Sequence, residues 1–96
     1  MTAGTLGPGE RRRLIDALLR IDALSVRSTR EACVTELQNT LSRPLEWERD
    51  ERALHDVWGL AVACLGRPGG IQTLLDVVEF FDRGSHAFRE ARALAD

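Results

Sequence analysis

The stretch CLGRPGGIQTLL, residues 64–75, lies between two strongly apolar segments and decides how the chain folds. A P-loop needs a strand, then G-x-x-x-x-G-K-[ST], then a helix, and a dinucleotide site needs G-x-G-x-x-G after a strand. An apolar helical pattern comes first here, no lysine follows, and neither spacing is present. We therefore predict a structural turn between two helices, formed by Gly66, Arg67, Pro68, Gly69 and Gly70.

The glycines and the proline have separate roles in this predicted turn. Gly66 is expected to end the preceding helix in the left-handed conformation, and Pro68 prevents that helix from resuming. Gly69 and Gly70 let the chain turn sharply into the next helix. A minor alternative is that the new helix start, with Arg67 beside it, binds an anion.

The apolar periodicity before the turn predicts helices. The first begins near Pro8, a favourable first-turn residue, and runs to about residue 20. In the second, Ser28 stands three residues before Glu31, which is the spacing of a capping box, and Pro44 ends the helix. RPLEWER, residues 43–49, is a candidate for a short additional helix.

A third long helix is predicted at about residues 50–65, a fourth at 70–82, and a last one after Gly84, capped by Ser85. The third is apolar most of the way round, so we expect it at the centre of the bundle. No segment has the alternation of a strand. The predicted core consists of Leu14, Leu18, Leu37, Leu54, Trp58, Val62, Leu65, Leu74, Leu75, Val78 and Phe88.

These patterns predict an all-α fold, a compact bundle of five to six short antiparallel helices. Residues 9–96 form a single domain, preceded by a flexible leader at residues 1–8. If Trp58 is a core residue, its truncation to alanine costs about 3–5 kcal/mol.

Composition excludes several classes of protein. The chain has 96 residues, of which 44% are hydrophobic and 29% are charged, which is ordinary for a globular domain. Its net charge of −2 is unlike that of a nucleic-acid binder, and no apolar run is long enough to cross a membrane. We therefore expect no nucleic-acid partner, no membrane partner and a cytoplasmic location.

The sulfur and imidazole side chains do not form a recognisable site. Cys33 and Cys64 lie in apolar patterns, which suits reduced core thiols, and neither pairs with His55 or His86 at a metal-ligand spacing. We therefore predict no catalytic residues, no metal, no cofactor and no enzymatic activity.

Two charged segments are candidate interface regions. The first is a basic corner at the start of the first helix, where the helix dipole disfavours arginine; solvated arginines are the ordinary alternative. The second is the acidic segment EWERDER around an aromatic residue, Trp47, which is either an interface anchor or a cover for the core. The candidates are Arg11, Arg12, Arg13, Glu46, Trp47, Glu48, Asp50 and Glu51.

Three segments together resemble a known family. They are LIDALLRI at residues 14–21, WGLAVACLGRPGGIQTLLDVV at 58–78 and GSHAFREARAL at 84–94. They are similar to the second type of effector-associated domain of bacterial conflict systems. The resemblance implies a death-fold-like helical adaptor without catalytic residues. It also implies a partner that carries a similar helical domain, joined to a protease, an NTPase or another effector.

The charge pattern suggests a mechanism for such an adaptor. The basic corner of one domain joins the acidic segment of the next, a head-to-tail contact that can propagate. Two alternatives remain open. One is a helix-turn-helix DNA-binding regulator, although no helix is basic enough for recognition. The other is a symmetric homodimer formed through an apolar patch around Phe80 and Val77, unless the last helix covers Phe80.

Overall fold

The computed structural model describes residues 7–82 and 84–95, and over these residues it contains six helices and no strand. The all-α prediction is confirmed. The predicted leader, residues 1–8, falls mostly on residues 1–6, outside the described part, while Pro8 already belongs to the first helix. The helices are α1 (Pro8–Arg20), α2 (Asp22–Ser25), α3 (Arg27–Thr40), α4 (Ala53–Leu65), α5 (Gly70–Asp82) and α6 (His86–Ala95).

Local chemistry sets the helix starts. Pro8 occupies the first turn of α1, and the Glu10 carboxylate accepts a hydrogen bond from the Gly7 amide at 3.3 Å. The prediction for Ser85 is confirmed, because its hydroxyl accepts a hydrogen bond from the Phe88 amide at the start of α6. The prediction for Ser28 is wrong. Helix α3 begins at Arg27, one residue before Ser28, and follows the extended residue Val26. Ser28 therefore lies inside the first turn, where its side chain cannot cap the helix.

Two segments between the long helices differ from the sequence prediction. The short helix α2 was not predicted; its Ala23 and Leu24 are buried, and they pack this connection against the core. Residues 43–49 form no helix, and α4 begins at Ala53 rather than near Asp50. Instead, the Asp50 carboxylate accepts the Arg52 amide at 2.8 Å, just before α4 begins.

The predicted turn joins α4 to α5, but its geometry differs in one respect. Gly66 is right-handed, with φ −77°, and the left-handed residue is Gly69, with φ +71°. Gly70 lies so close to the end of α4 that a Cβ atom there would be 2.3 Å from the Cys64 carbonyl oxygen. The glycine pair therefore permits both the reversal of the chain and the close contact between the helices.

The core is formed mainly by α5 and the helices around it. Helix α5 contacts α2, α3, α4 and α6, whereas α4 contacts α1, α2 and α5, and α1 packs along α6. The central position predicted for the helix at residues 50–65 is therefore wrong, and α5 is the more enclosed helix. Its Ile71, Leu74, Leu75, Val77 and Val78 are all buried.

Most of the predicted core residues are buried, with three exceptions on α4. The structure buries Leu14, Leu18, Leu37, Leu74, Leu75, Val78 and Phe88, and Leu65 packs partly buried against them. Leu54, Trp58 and Val62 are wrong as core residues: they are 53%, 46% and 42% exposed. They follow one another at a spacing of four, so they form a single stripe on the outer face of α4. The face that is buried carries Val57, Leu60, Ala61 and Cys64.

Within the described part of the chain, no helix has the length and apolar character needed to span a bilayer.

Candidate interaction surface

A buried carboxylate holds the long connection between α3 and α4 in place. Asp56, in the first turn of α4, is 1% exposed and accepts a hydrogen bond from the Arg30 guanidinium at 2.9 Å. It also accepts the Arg49 guanidinium at 2.8 Å and the Trp47 indole N–H at 3.1 Å. The Asp50 amide adds a longer contact at 3.3 Å. One side chain therefore anchors the connection at three points, residues 47, 49 and 50.

Arg30 is the most unusual member of this network, because it is fully buried within α3 and only 1% exposed. Besides Asp56, its guanidinium donates to the carbonyl oxygens of Leu24 and Glu51, at 3.0 and 3.3 Å. Arg30 therefore links α2, α3, α4 and the connection before α4. A buried cation is tolerated when its charge is paired and its donors are satisfied, and both conditions hold here.

These contacts change the acidity of the groups involved. Burial by itself raises the pKa of Asp56, but hydrogen bonds from Arg49 and Trp47 outweigh it, and the pKa falls to about 2. The same hydrogen bond to Asp56 raises the pKa of Arg49. Asp50 has a pKa lowered to about 2 because the Arg52 side chain and amide donate to it. All of these groups are therefore charged at neutral pH.

Trp47 packs back onto the domain. Its indole lies against α4 at Gly59, where an added Cβ would be 2.8 Å from the Trp47 Cδ1 atom. The ring is half-buried against the core, and the Arg49 guanidinium lies 5.1 Å from its centroid. Of the two alternatives for Trp47, the structure favours the cover for the core over the exposed anchor.

The beginning of the same connection is tied down as well. The Gln38 side chain donates to the Leu45 carbonyl and accepts from the Leu45 amide, at 2.9 and 2.8 Å. Arg67, from the turn after α4, donates to the carbonyl oxygens of Arg43 and Pro44. Arg67 thus has a structural partner in place of the anion suggested as a minor alternative.

The acidic segment is less acidic than its sequence suggests. Asp50 is paired with Arg52, and Glu51 lies 3.5 Å from Arg27. Glu46 and Glu48 are exposed and form no ion pair with any described residue. We call these two residues the acidic loop, since they carry the uncompensated charge of this segment.

The basic corner, residues Arg11–Arg13, is exposed along the first turns of α1. None of the three arginines forms an ion pair within residues 7–82 and 84–95. Two of them take part in an open depression of about 430 Å³ between α1 and α4, lined by Pro8, Arg11, Arg12 and Trp58. The basic corner therefore adjoins the apolar stripe of α4, a proximity that the sequence did not reveal.

A second apolar surface lies at the end of α5. Phe80 is 81% exposed, the highest value among the large apolar side chains of the described residues, so the last helix does not cover it. Phe81 beside it is 38% exposed. Val77, by contrast, is buried, so the homodimer patch suggested around Phe80 and Val77 lacks one of its two members.

The two cysteines lie in the core, as predicted. Both are buried and not disulfide-bonded, and burial raises the pKa of the Cys33 thiol to about 11 and that of Cys64 to about 12. Thiols in such surroundings remain protonated and unreactive. In the described residues, no group of three His, Cys, Asp or Glu side chains is close enough to hold a metal ion.

The buried ion pair is the main feature that the sequence interpretation missed, yet a signal for it was present. Arg30 precedes Cys33, Val34 and Leu37 by three, four and seven residues, so it falls on the apolar stripe of its helix. Asp56 likewise precedes Leu60 by four residues within a strongly apolar helix. A charged residue on each of two buried faces indicates that the two are paired.

Fold and surface together define a class: a small all-helical domain with buried thiols, a buried ion pair and exposed groups of charged and apolar side chains. Residues 15–96 match the family model described as effector-associated domain 2, so this chain belongs to that family of effector-associated modules of bacterial systems. No curated protein and no solved structure matches the chain.

Proposed function

We propose that this domain is a non-catalytic adaptor of a bacterial defence or signalling system. It recruits or assembles effectors by associating with a similar helical domain, either in a second copy of itself or in a protein that carries a protease, an NTPase or another effector. Membership of the effector-associated family supports this proposal. The observation that carries it is the basic corner, three consecutive exposed arginines that form no ion pair with a described residue.

The position of the basic corner explains why it favours a partner. Arg11 lies at the end of the first turn of α1, where a cation opposes the helix dipole by about 0.3–1 kcal/mol, and Glu10 offsets part of that cost. Carboxylates of another domain relieve it, and the planar guanidinium group holds a carboxylate through two parallel hydrogen bonds. The basic corner is therefore a binding site for an acidic protein surface.

The chain itself presents acidic surfaces of this kind. One is the acidic loop, Glu46 and Glu48, the part of the predicted acidic segment that the structure leaves uncompensated. Another lies at the end of α5, where Asp76 and Glu79 are exposed. Because the basic and acidic surfaces belong to different parts of the domain, their contact is head-to-tail and can extend into a chain of domains.

Sedimentation velocity of the purified domain at low salt tests this proposal. We expect concentration-dependent self-association that weakens as salt is added, because exposed charges are screened. Reversing Arg11, Arg12 and Arg13 to glutamate should abolish it, with helical content unchanged. Arg89→Glu on α6 is the matched control, since Arg89 is also exposed and forms no ion pair with a described residue.

The double variant Glu46→Arg/Glu48→Arg tests the acidic loop. It is preferred to Glu48→Arg/Asp50→Arg, because the Asp50 carboxylate also fixes the start of α4 and its loss would disturb the fold. If the domain remains folded and associates equally well after reversal of the basic corner, charge pairing is not the mechanism. If the unmodified domain neither self-associates nor binds a protein that carries a similar domain, the adaptor function is contradicted.

A further inference from the structure

The stripe on α4 is an apolar surface that the described residues leave about half-exposed. Leu54, Trp58 and Val62 are buried to only about half, although each has an apolar side chain large enough to stabilise a core. Trp58 also forms one wall of the depression whose other walls are Pro8, Arg11 and Arg12. A surface that combines an aromatic ring with arginines that pair with no described residue suits a ligand that is both apolar and acidic.

The end of α5 has this combination of properties. Phe80 projects from the surface. Asp76, four residues before it, and Glu79, directly before it, are also exposed on the same helix. Arg92 pairs with Asp76 at 2.8 Å and approaches Glu79 only at 3.9 Å, so Glu79 retains much of its charge for another contact. The carboxyl end of a helix adds further negative character.

We infer that Phe80 of a second copy of this chain docks in the depression between α1 and α4, against Trp58, while Glu79 beside it pairs with Arg11 and Arg12. This inference rests on the proposed function and specifies its contact. The Phe80 ring packs on the indole and on Pro8. A guanidinium group is able to stack on an aromatic ring and to hold a carboxylate, so Arg11 and Arg12 serve both halves of the contact.

The second copy is favoured as the occupant because one contact covers both the stripe on α4 and the exposed ring at the end of α5. Contiguous exposed apolar surface on a small domain ordinarily marks an interaction site. The acidic loop offers no comparable apolar group, since Leu45 is buried and the Trp47 ring lies against Gly59. The end of α5 therefore matches the depression in both charge and apolar character, whereas the acidic loop matches it only in charge.

The size of the surfaces indicates the strength of the contact. A stable interface buries about 800 Å² on each partner, close to an eighth of the 5982 Å² surface of this domain. One stripe of three side chains and one projecting ring supply only the centre of such an area. We therefore expect weak association of isolated domains, measurable at hundreds of micromolar and strengthened when several copies are linked.

Single substitutions on the two surfaces test the contact by sedimentation velocity. Phe80→Ala and Trp58→Ala should each weaken self-association by about tenfold or more, the effect of a central interface residue. Val26→Ala is the control, since Val26 is 50% exposed at the start of α3, on neither of the two surfaces. Circular dichroism and thermal melting establish that each variant is folded.

A mixing experiment distinguishes this contact from a symmetric one. Phe80→Ala retains an intact depression, and Trp58→Ala retains an intact Phe80, so an equimolar mixture should form a one-to-one pair that neither variant forms alone. The charge pair is tested in the same way by mixing Glu79→Arg with Arg11→Glu/Arg12→Glu. Failure of the mixtures to associate, while the unmodified domain does so, overturns the inference.

The remaining outcomes separate this inference from the proposed function. If Glu46→Arg/Glu48→Arg abolishes association and Phe80→Ala does not, the inference is wrong and the adaptor contact lies at the acidic loop. If the unmodified domain stays monomeric at hundreds of micromolar, docking of a second copy is also contradicted. In that case the adaptor proposal survives only if the domain binds a different effector-associated domain through the basic corner.

Discussion

Removing the carboxylate of Asp56 is the most informative perturbation of this fold. Asp56→Ala leaves Arg30 as a buried cation without a counter-charge and releases the Arg49 guanidinium and the Trp47 indole. Breaking a buried ion pair from one side costs about 3–5 kcal/mol. Small domains are stable by about 5–15 kcal/mol in total, so the loss approaches the whole stability of a marginal domain.

Urea denaturation followed by far-ultraviolet circular dichroism measures this loss directly. The reverse truncation, Arg30→Met, should cost less, because Asp56 keeps its ion pair with Arg49 and its hydrogen bond from Trp47. The double variant Arg30→Met/Asp56→Leu replaces both charges by apolar groups of similar volume. Such replacements are commonly neutral or stabilising, so we expect it to recover most of the loss.

Together with the single variant Asp56→Leu, the variants Arg30→Met and Arg30→Met/Asp56→Leu and the unmodified domain form a double-mutant cycle. A coupling free energy above about 2 kcal/mol between positions 30 and 56 supports a structural ion pair, because directly paired residues are strongly non-additive. Additive losses, or single losses below about 1 kcal/mol, would refute the reasoning, since that is the range typical of exposed pairs. Val34→Ala, a conservative truncation at a buried position of α3, controls for general loss of packing.

Three further predictions concern pH, the turn after α4 and the stripe on α4. The folded pKa of Asp56 is depressed from 3.8 to about 2, so its contribution to the free energy of unfolding is fully present above pH 5 and is lost as the pH falls towards 2. In urea denaturation, Asp56→Asn should therefore remove most of this acid dependence. Gly70→Ala should destabilise the domain by about 1–3 kcal/mol, because its Cβ atom clashes with the Cys64 carbonyl oxygen. Gly66→Ala should change stability by less than about 1 kcal/mol, because φ is negative there and an added Cβ would be 3.6 Å from the nearest atoms. Trp58→Ala should cost only about 1–2 kcal/mol of stability because the indole is half-exposed. Leu60→Ala, on the buried face of the same helix, should cost about 2–5 kcal/mol. Equal losses of stability in thermal melts would contradict the outward position of Trp58.

Much of the fold was predictable because local signals determine it. Pro8, the glycines of the turn and Ser85 act on their own neighbours, so the boundaries of α1 and α5 and the cap of α6 follow from short stretches of sequence. The short helix α2 was missed because four residues carry no measurable periodicity. The start of α3 was misplaced because Ser28 fits a capping box as well as it fits a first helical turn.

The candidate surface was less predictable, because it depends on how the helices pack. Helix α4 is apolar most of the way round, and periodicity alone does not say which of its faces is covered. The stripe with Trp58 and the face with Leu60 are both apolar in sequence, yet only the second is buried. The burial of Trp47 was also not predictable from local sequence, because the ring packs against Gly59, twelve residues further along the chain.

The exchange of positions between charged and apolar residues is what distinguishes this domain from an ordinary helical bundle. Arg30 and Asp56 lie inside, where apolar residues of equal volume stabilise at least as well, while Trp58 is half-exposed and Phe80 lies outside, where they add less to the stability of the monomer than core residues do. The buried pair makes specific hydrogen bonds to several segments, and so fixes α2, α3 and the connection before α4 in one arrangement. A fixed arrangement lowers the entropy lost on association, since the surfaces are already in place when a partner arrives. The buried charges and the exposed rings are therefore parts of one property, a rigid domain with an uncovered apolar surface.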